Sequence, residues 1–217
     1  MPFPEAVLRN SILALREASP GLVDPLLDAL SSVSQRKPLT PEALEALDTA
    51  LTASRPALYE TAAYIAHDVS AIDERVVDLI IGLSRHPKAF VRRNAILCLG
   101  VETPVATACE MIAAGLQDNS SLVRIKAADW ALRMHLVEAL PMLVAAACIE
   151  KHARARSEME YSMAMLRDGY IAKPQNGEFV WLTVLRNGGV GTTTLVKKAR
   201  IDEIGLDKVA ADLRGAP

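Results

Sequence analysis

The chain has 217 residues, of which 51% are hydrophobic and only 4% aromatic, and its formal net charge is −2. A chain of this length can bury a sizeable core, and its richness in alanine and leucine is typical of packed helices. The small negative charge gives no reason to expect a nucleic-acid partner, because such binding depends on neutralising phosphates.

Up to residue 168 the sequence reads as a succession of helices separated by short breaks that contain Pro, Gly, Ser or Asn. One start signal is clear: Thr40 is a good N-cap, and Pro41 suits the first helical position. The predicted helices span residues 4–18, 22–34, 41–53, 56–70, 73–85, 88–100, 104–117, 120–135, 138–151 and 153–168. Because the connections are short, neighbouring helices are expected to pack as antiparallel hairpins.

A period of 32 residues relates the later helices. The segment HPKAFVRRNAILCLG, which begins at residue 86, aligns with DNSSLVRIKAADWAL, which begins at residue 118. An arginine recurs in the series Arg92, Arg124 and Arg156, each time at the start of the second helix of a pair. Such a period predicts one helical hairpin stacked on the next. We expect a structural role for these arginines, in which each binds an acid such as Asp118 or a neighbouring turn.

These residues resemble the HEAT-like repeat family, in the short form of phycobilisome-lyase-type repeats, over residues 72–168. In the middle repeat the matching residues are Asp118, Val123, Arg124, Ala127 and Ala131. The preceding repeat departs from the pattern, because His86 stands where an acid is expected. The resemblance implies a mainly α protein, an α-α superhelix that forms a HEAT-like solenoid of about five helical hairpins over residues 1–168.

After residue 168 the pattern changes from helical to alternating, which is typical of strands. The segments FVWLTVL and VGTTTLVK predict a β-hairpin with Asn187 and Gly188 at its tip. In that register Leu185 pairs with Val190, and Val180 pairs with Leu195. The segment LDKVAADLR predicts a short helix, so residues 169–217 are expected to form a cap.

The glycines around the predicted turn raise the alternative of a phosphate-binding loop. Such a loop needs a lysine after its last glycine and a helix that begins there. Here Thr192 follows Gly191, and the next residues alternate like a strand. The loop is therefore interpreted as a turn, and no nucleotide or other cofactor is expected.

Neither catalytic residues nor a metal site are predicted, because the four histidines lack ligand spacing and no serine stands in a nucleophile motif.

The cysteines Cys98, Cys109 and Cys148 are interpreted as core thiols in a reducing compartment, which favours the cytoplasm. No apolar run is long enough to cross a membrane, and the charged N-terminal segment does not match a secretory signal. Residues 151–200 carry nine lysines and arginines against four acids. A solvated face is preferred there, with contact to nucleic acid left open.

The second helices of the last three pairs carry a polar stripe opposite their apolar one. In HEAT-like stacks these helices line the concave side, and a stripe of both charge signs suits a protein surface. The predicted partner-binding residues are Arg93, Asn94, Leu97, Lys126, Asp129, Arg133, Glu158 and Tyr161. We therefore expect a noncatalytic scaffold or adaptor that binds a protein or peptide. The alternative is an enzyme on a HEAT-like scaffold, either bilin-lyase-like or similar to DNA alkylation glycosylases.

Overall fold

The computed structural model describes residues 4–100, 103–175, 177–185 and 191–215. Within these ranges the chain is mainly helical, with a small three-stranded antiparallel sheet near its C-terminal end. The chain divides into two compact units, residues 1–130 and 131–217. The predicted boundary after residue 168 is the point where helices are followed by strands. The boundary between the two compact units lies earlier, between residues 130 and 131. No helix in the described part of the chain is long and apolar enough to span a bilayer.

The regular elements in the described residues of the first unit are all helices. They are α1 (Glu5–Leu13), α2 (Pro20–Gln35), α3 (Pro41–Leu51), α4 (Pro56–Val69), α5 (Glu74–Ser84), α6 (Ala89–Leu97), α7 (Val105–Leu116) and α8 (Ser121–Arg133), the last of which continues past residue 130. The predicted cap of α3 is confirmed: Thr40 Oγ1 accepts a hydrogen bond from Ala43 N at 3.2 Å, and Pro41 begins the helix. Each helix begins within two residues of its predicted start, because helix starts are encoded locally. Two helices end at least three residues earlier than predicted, since α1 ends at Leu13 rather than at residue 18 and α6 ends at Leu97 rather than at residue 100.

The core of the first unit contains the apolar stripe predicted from helical spacing. Val91, Ala95, Cys98 and Leu99 are all buried, as the sequence pattern indicated. Burial raises the pKa of the Cys98 thiol far above its ordinary value, so this thiol stays protonated and behaves as an apolar side chain.

The second unit combines helices with the sheet. After the 3₁₀ turn Val137–Ala139 its elements are α9 (Leu140–Ile149), α10 (Ala153–Asp168), β1 (Tyr170–Pro174), β2 (Phe179–Leu185), β3 (Gly191–Lys197), α11 (Lys198–Ile204) and α12 (Leu206–Gly215). The expected strands and final helix are confirmed, while β1 and α11 are additions that the sequence pattern did not indicate. Gly169 ends α10 in the left-handed conformation, with φ of 74°. Glycine has no side chain to oppose that conformation.

The register of the β2–β3 hairpin differs from the predicted one by a single residue. Leu185 pairs with Gly191, and Val180 pairs with Val196 rather than Leu195. Five residues therefore connect the strands, where the predicted register left four. The predicted tip at residues 187 and 188 lies outside the described residues. Because strand side chains alternate between faces, this shift turns Leu195 to the opposite face of the sheet.

One face of the sheet forms the small core of this region. Leu182, Val184 and Val196 are buried there, together with Val209 and Ala210 of α12. Side chains of α11 and α12 pack against this cluster, so these two helices cover one face of the sheet. The alternation along β2 and β3 then directs Trp181 and Leu195 to the other face.

Candidate functional site

The recurring arginines all make the same main-chain contact. Each guanidinium donates a hydrogen bond to the carbonyl oxygen six residues earlier, in the turn before its own helix. The pairs are Arg92 with His86 at 2.8 Å, Arg124 with Asp118 at 2.7 Å, and Arg156 with Glu150 at 2.9 Å. An identical contact at an identical interval accounts for the recurrence as a structural device that satisfies turn carbonyls.

The residue whose carbonyl binds each arginine also makes a recurring side-chain contact. In each turn it accepts a hydrogen bond from the main-chain N–H two residues later, which stabilises the chain reversal. The pairs are His86 Nδ1 with Lys88 N at 3.1 Å, Asp118 Oδ1 with Ser120 N at 2.7 Å, and Glu150 Oε1 with His152 N at 2.8 Å. The histidine that departs from the expected acidic pattern therefore performs the same task through its ring nitrogen.

Asp118 joins the turn before α8 to α6. Its carboxylate accepts hydrogen bonds from Arg92 Nε at 2.6 Å and Arg92 Nη2 at 2.8 Å, whereas Arg124 binds its main-chain carbonyl. Burial alone would raise the pKa of Asp118. The hydrogen bonds from Arg92 and the Ser120 N–H outweigh burial, so the pKa is lowered. This carboxylate is thus occupied by structural contacts.

Arg93 and Asn94, two of the predicted partner-binding residues, serve the packing of the first unit. Asn94 is completely buried, and its Nδ2 donates to Leu51 O at 2.8 Å. Leu51 is the last residue of α3, so Asn94 satisfies a carbonyl that the helix leaves without an internal partner. Arg93 Nη2 donates to Asn94 Oδ1 at 2.8 Å, and its guanidinium lies 4.6 Å from the centre of the Tyr59 ring. The prediction of an accessible Asn94 is wrong, because helical spacing alone did not show that α3 packs against this side of α6.

Lys126 and Asp129 form a second local group on α8. Lys126 Nζ lies 2.9 Å from Asp129 Oδ2 and 5.0 Å from the centre of the Trp130 ring. The indole N–H of Trp130 donates to Leu99 O at 2.9 Å, so this aromatic side chain connects α8 to the residues that follow α6. Leu97 is half-buried. These charges are engaged with neighbours in the chain.

The remaining predicted partner residues lie in the second unit. Arg133 is exposed, while Glu158 and Tyr161 are half-buried. Tyr161 lies beside the sheet, since a side-chain carbon at Gly191 would be 3.8 Å from its hydroxyl oxygen. The eight predicted residues therefore differ in accessibility, and they do not form a uniformly exposed stripe.

The face of the sheet opposite α11 and α12, which α10 approaches at Gly191, carries an exposed aromatic and aliphatic pair that the sequence did not predict. Trp181 lies directly opposite Leu195, and each is 42% exposed. On the other side of β2, Lys173 of β1 pairs with Trp181. Phe179 of β2 pairs with Lys197 of β3. We call Lys173, Phe179, Trp181, Leu195 and Lys197 the sheet patch. Only the true register, which places Leu195 beside Trp181, could have revealed it.

Helix α9 presents a second exposed surface. Pro141, Val144, Ala145, Cys148 and Ile149 are all exposed and follow one side of the helix at helical spacing. Ile149 is 79% exposed and Val144 is 46% exposed. We call these five residues the α9 stripe. The interpretation of Cys148 as a core thiol is wrong, because a helix that is apolar on every side does not show in its sequence which side faces the core.

The described residues contain no group of three or more His, Cys, Asp or Glu side chains that could hold a metal ion. None of the protein-family models, curated proteins or solved structures compared with this chain matches it. Function is therefore inferred from the exposed side chains themselves.

A cleft of about 540 Å³ lies between α1 and α4. The hydroxyl groups of Ser11 and Thr61 in this cleft bind main-chain carbonyls, since Ser11 donates to Val7 O at 3.0 Å and Thr61 donates to Ala57 O at 2.8 Å. Arg55 and Glu60 also line the cleft. These groups do not form the nucleophile and base arrangement that would suggest catalysis.

Proposed function

We propose that this protein is a noncatalytic scaffold that binds another protein through the sheet patch. The observation that carries the proposal is the pairing of two large side chains, Trp181 and Leu195, each 42% exposed on the sheet face opposite α11 and α12. Tryptophan is enriched among the residues that dominate binding energy, because it buries a large area and retains an N–H donor. Covering this pair would remove apolar surface from water.

The charges around the pair indicate the chemistry of the partner. Lys173 and Lys197 lie on the strands that flank Trp181, and both are exposed. An apolar centre with a basic rim fits a segment that carries a large apolar side chain among acidic residues. The excess of basic residues over 151–200 favours the same kind of partner, since it attracts acidic segments at longer range.

We further propose that residues 1–168 form a HEAT-like solenoid, an α-α superhelix of about five hairpins. The support is the contact between an arginine and a turn carbonyl, which occurs three times at the same six-residue interval. Repeated units of this kind use the same side chain to close the same turn, as expected of stacked repeats.

A reducing compartment, such as the cytoplasm, is part of the same proposal. None of the three cysteines, all of which lie in the described residues, forms a disulfide, and Cys148 is exposed. An exposed thiol persists where thiols are kept reduced.

Single-stranded nucleic acid is the second candidate ligand of the sheet patch. Trp181 could stack on a base, and Lys173 and Lys197 could neutralise phosphates. The position of Leu195 directly opposite the indole favours the protein partner, because an aliphatic neighbour extends the apolar centre without adding a stacking surface.

Photo-crosslinking tests the proposal. A photoreactive amino acid replaces Leu195 in the full chain, and a matched control carries it at the exposed Ala211 of α12. We expect a protein adduct at position 195 that is absent at position 211, and mass spectrometry should locate the adduct in an acidic segment. The adduct should disappear with Lys173→Glu and Lys197→Glu, but persist with Lys208→Glu, a charge reversal at an exposed residue of α12.

Three other outcomes would contradict the protein-binding proposal. An adduct that nuclease removes would support nucleic acid instead. Equal protein adducts at positions 195 and 211 would show that the contact is nonspecific. No adduct at position 195 in cells that express the protein at its native level would show that the sheet patch binds no partner.

A further inference from the structure

The α9 stripe is independent of the sheet patch, and its composition is unusual for an exposed helix face. Pro141, Val144, Ala145, Cys148 and Ile149 carry no charge, although a solvent-facing side of a helix normally holds charged or polar residues. The exposed Val137 lies in the 3₁₀ turn just before α9. A continuous apolar surface of this kind marks a site that another surface covers.

We propose that the α9 stripe binds the α9 stripe of a second copy of this chain, in an antiparallel pair related by a two-fold axis. A two-fold axis between Val144 and Ala145 brings these residues opposite each other across the interface. The larger Val144 side chain then faces the small Ala145, twice in the pair. Such self-complementarity is what a two-fold interface requires, because one surface supplies both partners.

The charges at the two ends of α9 favour the second copy over an unrelated partner. Glu138 lies just before the helix and Lys151 just after it, and both are exposed. With the axis between residues 144 and 145, the antiparallel arrangement brings the end of α9 that follows Glu138 in one copy near the end that precedes Lys151 in the other. The helix dipoles also oppose each other, which favours antiparallel pairing. A parallel arrangement would instead bring like charges together.

The length of the stripe sets the strength of the pairing. From Pro141 to Ile149 it spans eight residue steps, or about 12 Å at 1.5 Å per residue. A strip of this length on a helix about 10 Å wide covers far less than the roughly 800 Å² per partner that a specific, stable interface buries. The inferred dimer is therefore reversible and depends on protein concentration.

Sedimentation velocity of the full chain over a series of concentrations tests this inference. We expect the dimer fraction to rise with concentration, and Ile149→Asp to lower the association constant by about tenfold or more, because it buries a charge in the apolar pair. Val7→Asp is the matched control, since Val7 is an exposed apolar residue of α1 outside the stripe. It should leave association unchanged. Circular dichroism checks that each variant keeps its helices.

A charge-swap experiment tests the antiparallel geometry by itself. Glu138→Lys and Lys151→Glu should each weaken association by roughly threefold to tenfold, because each brings like charges near each other. The double variant restores opposite charges and should recover association to near that of the original chain. Because both residues are exposed, these variants remain informative if Ile149→Asp fails to fold.

The proposal is overturned by a chain that stays monomeric throughout the series. It is also overturned by a dimer that Ile149→Asp leaves unchanged, or by a double charge swap that fails to restore association. A chain that stays monomeric would indicate that a different protein binds the α9 stripe. None of these results bears on the photo-crosslinking test of the sheet patch.

Discussion

Arg92 and Asp118 are joined by two parallel hydrogen bonds, from Nε to Oδ2 at 2.6 Å and from Nη2 to Oδ1 at 2.8 Å. The two side chains are 19% and 9% exposed, so water competes weakly for them. The same guanidinium donates to His86 O at 2.8 Å. One side chain thus connects the turn before α6 to the turn before α8. This geometry adds directional specificity to charge attraction.

We predict that Arg92→Ala destabilises the protein by about 1.5–3 kcal/mol, the usual contribution of hydrogen bonds to charged groups. The melting temperature should fall by several degrees. The matched control is Arg9→Ala, which removes an ion pair with Glu5 in which both side chains are 49% exposed. Exposed pairs contribute little, so its melting temperature should hardly change. Equal effects in thermal melts of the two variants would refute the structural role of Arg92.

The stability contributed by Asp118 should depend on pH. Its pKa is lowered in the folded protein, so the unfolded chain binds more protons once the pH falls below about 4, the ordinary range of aspartate. The contribution is complete above that range and is lost as the pH falls through the lowered folded-state pKa. Asp118→Asn should therefore be less stable at pH 7 and lose less stability on acidification. Melting temperatures between about pH 7 and pH 2.5 would measure this, and parallel curves for the two proteins would contradict it.

Asn94 should matter for stability because it is buried and bonded to the end of α3. Asn94→Ala leaves Leu51 O without its donor and should cost about 1–3 kcal/mol, measured by chemical denaturation. Asn119→Ala, at an exposed position, is the control and should cost little. A stable Asn94→Ala variant would return this residue to the candidate surface residues.

Gly100 and His67 should be energetically coupled. A methyl group at position 100 would overlap the His67 imidazole, which is held by a 2.7 Å contact between its Nδ1 and Asp68 Oδ1. Gly100→Ala should therefore destabilise the protein, because the imidazole must move out of a packed site. Combining it with His67→Ala should recover part of the loss, which a double-mutant cycle of unfolding free energies would measure. If the unfolding free energies of the two single variants added in the double variant, the methyl group at position 100 would not be coupled to His67.

The sequence predicted the helical elements well where their signals are local. Thr40 and Pro41 together specify the start of α3, and the spacing of Val91 and Ala95 specifies the buried side of α6. The strand β1 escaped prediction because its five residues, Tyr170–Pro174, are too few to show a clear period.

The candidate surfaces were predicted less well. The polar stripe was inferred from positions opposite the buried side of α6, but a helix with neighbours on several sides has no single solvent face. Asn94 is buried for that reason, since it bonds to the end of α3. The α9 stripe shows the reverse error, because its apolar residues read as buried in the sequence although they are exposed in the structure.

The amino-acid sequence by itself determined where the helices of residues 1–168 begin and that an arginine returns every 32 residues, because capping, helical spacing and repetition are properties of nearby residues. Only the tertiary structure decided that Asn94 bonds to α3, that Leu195 lies beside Trp181, and that Cys148 is exposed on α9. The first two depend on contacts between separate elements, and the third depends on which side of α9 lies against the rest of its own unit. A one-residue change in hairpin length or a different neighbouring helix would reverse such outcomes without altering any local signal.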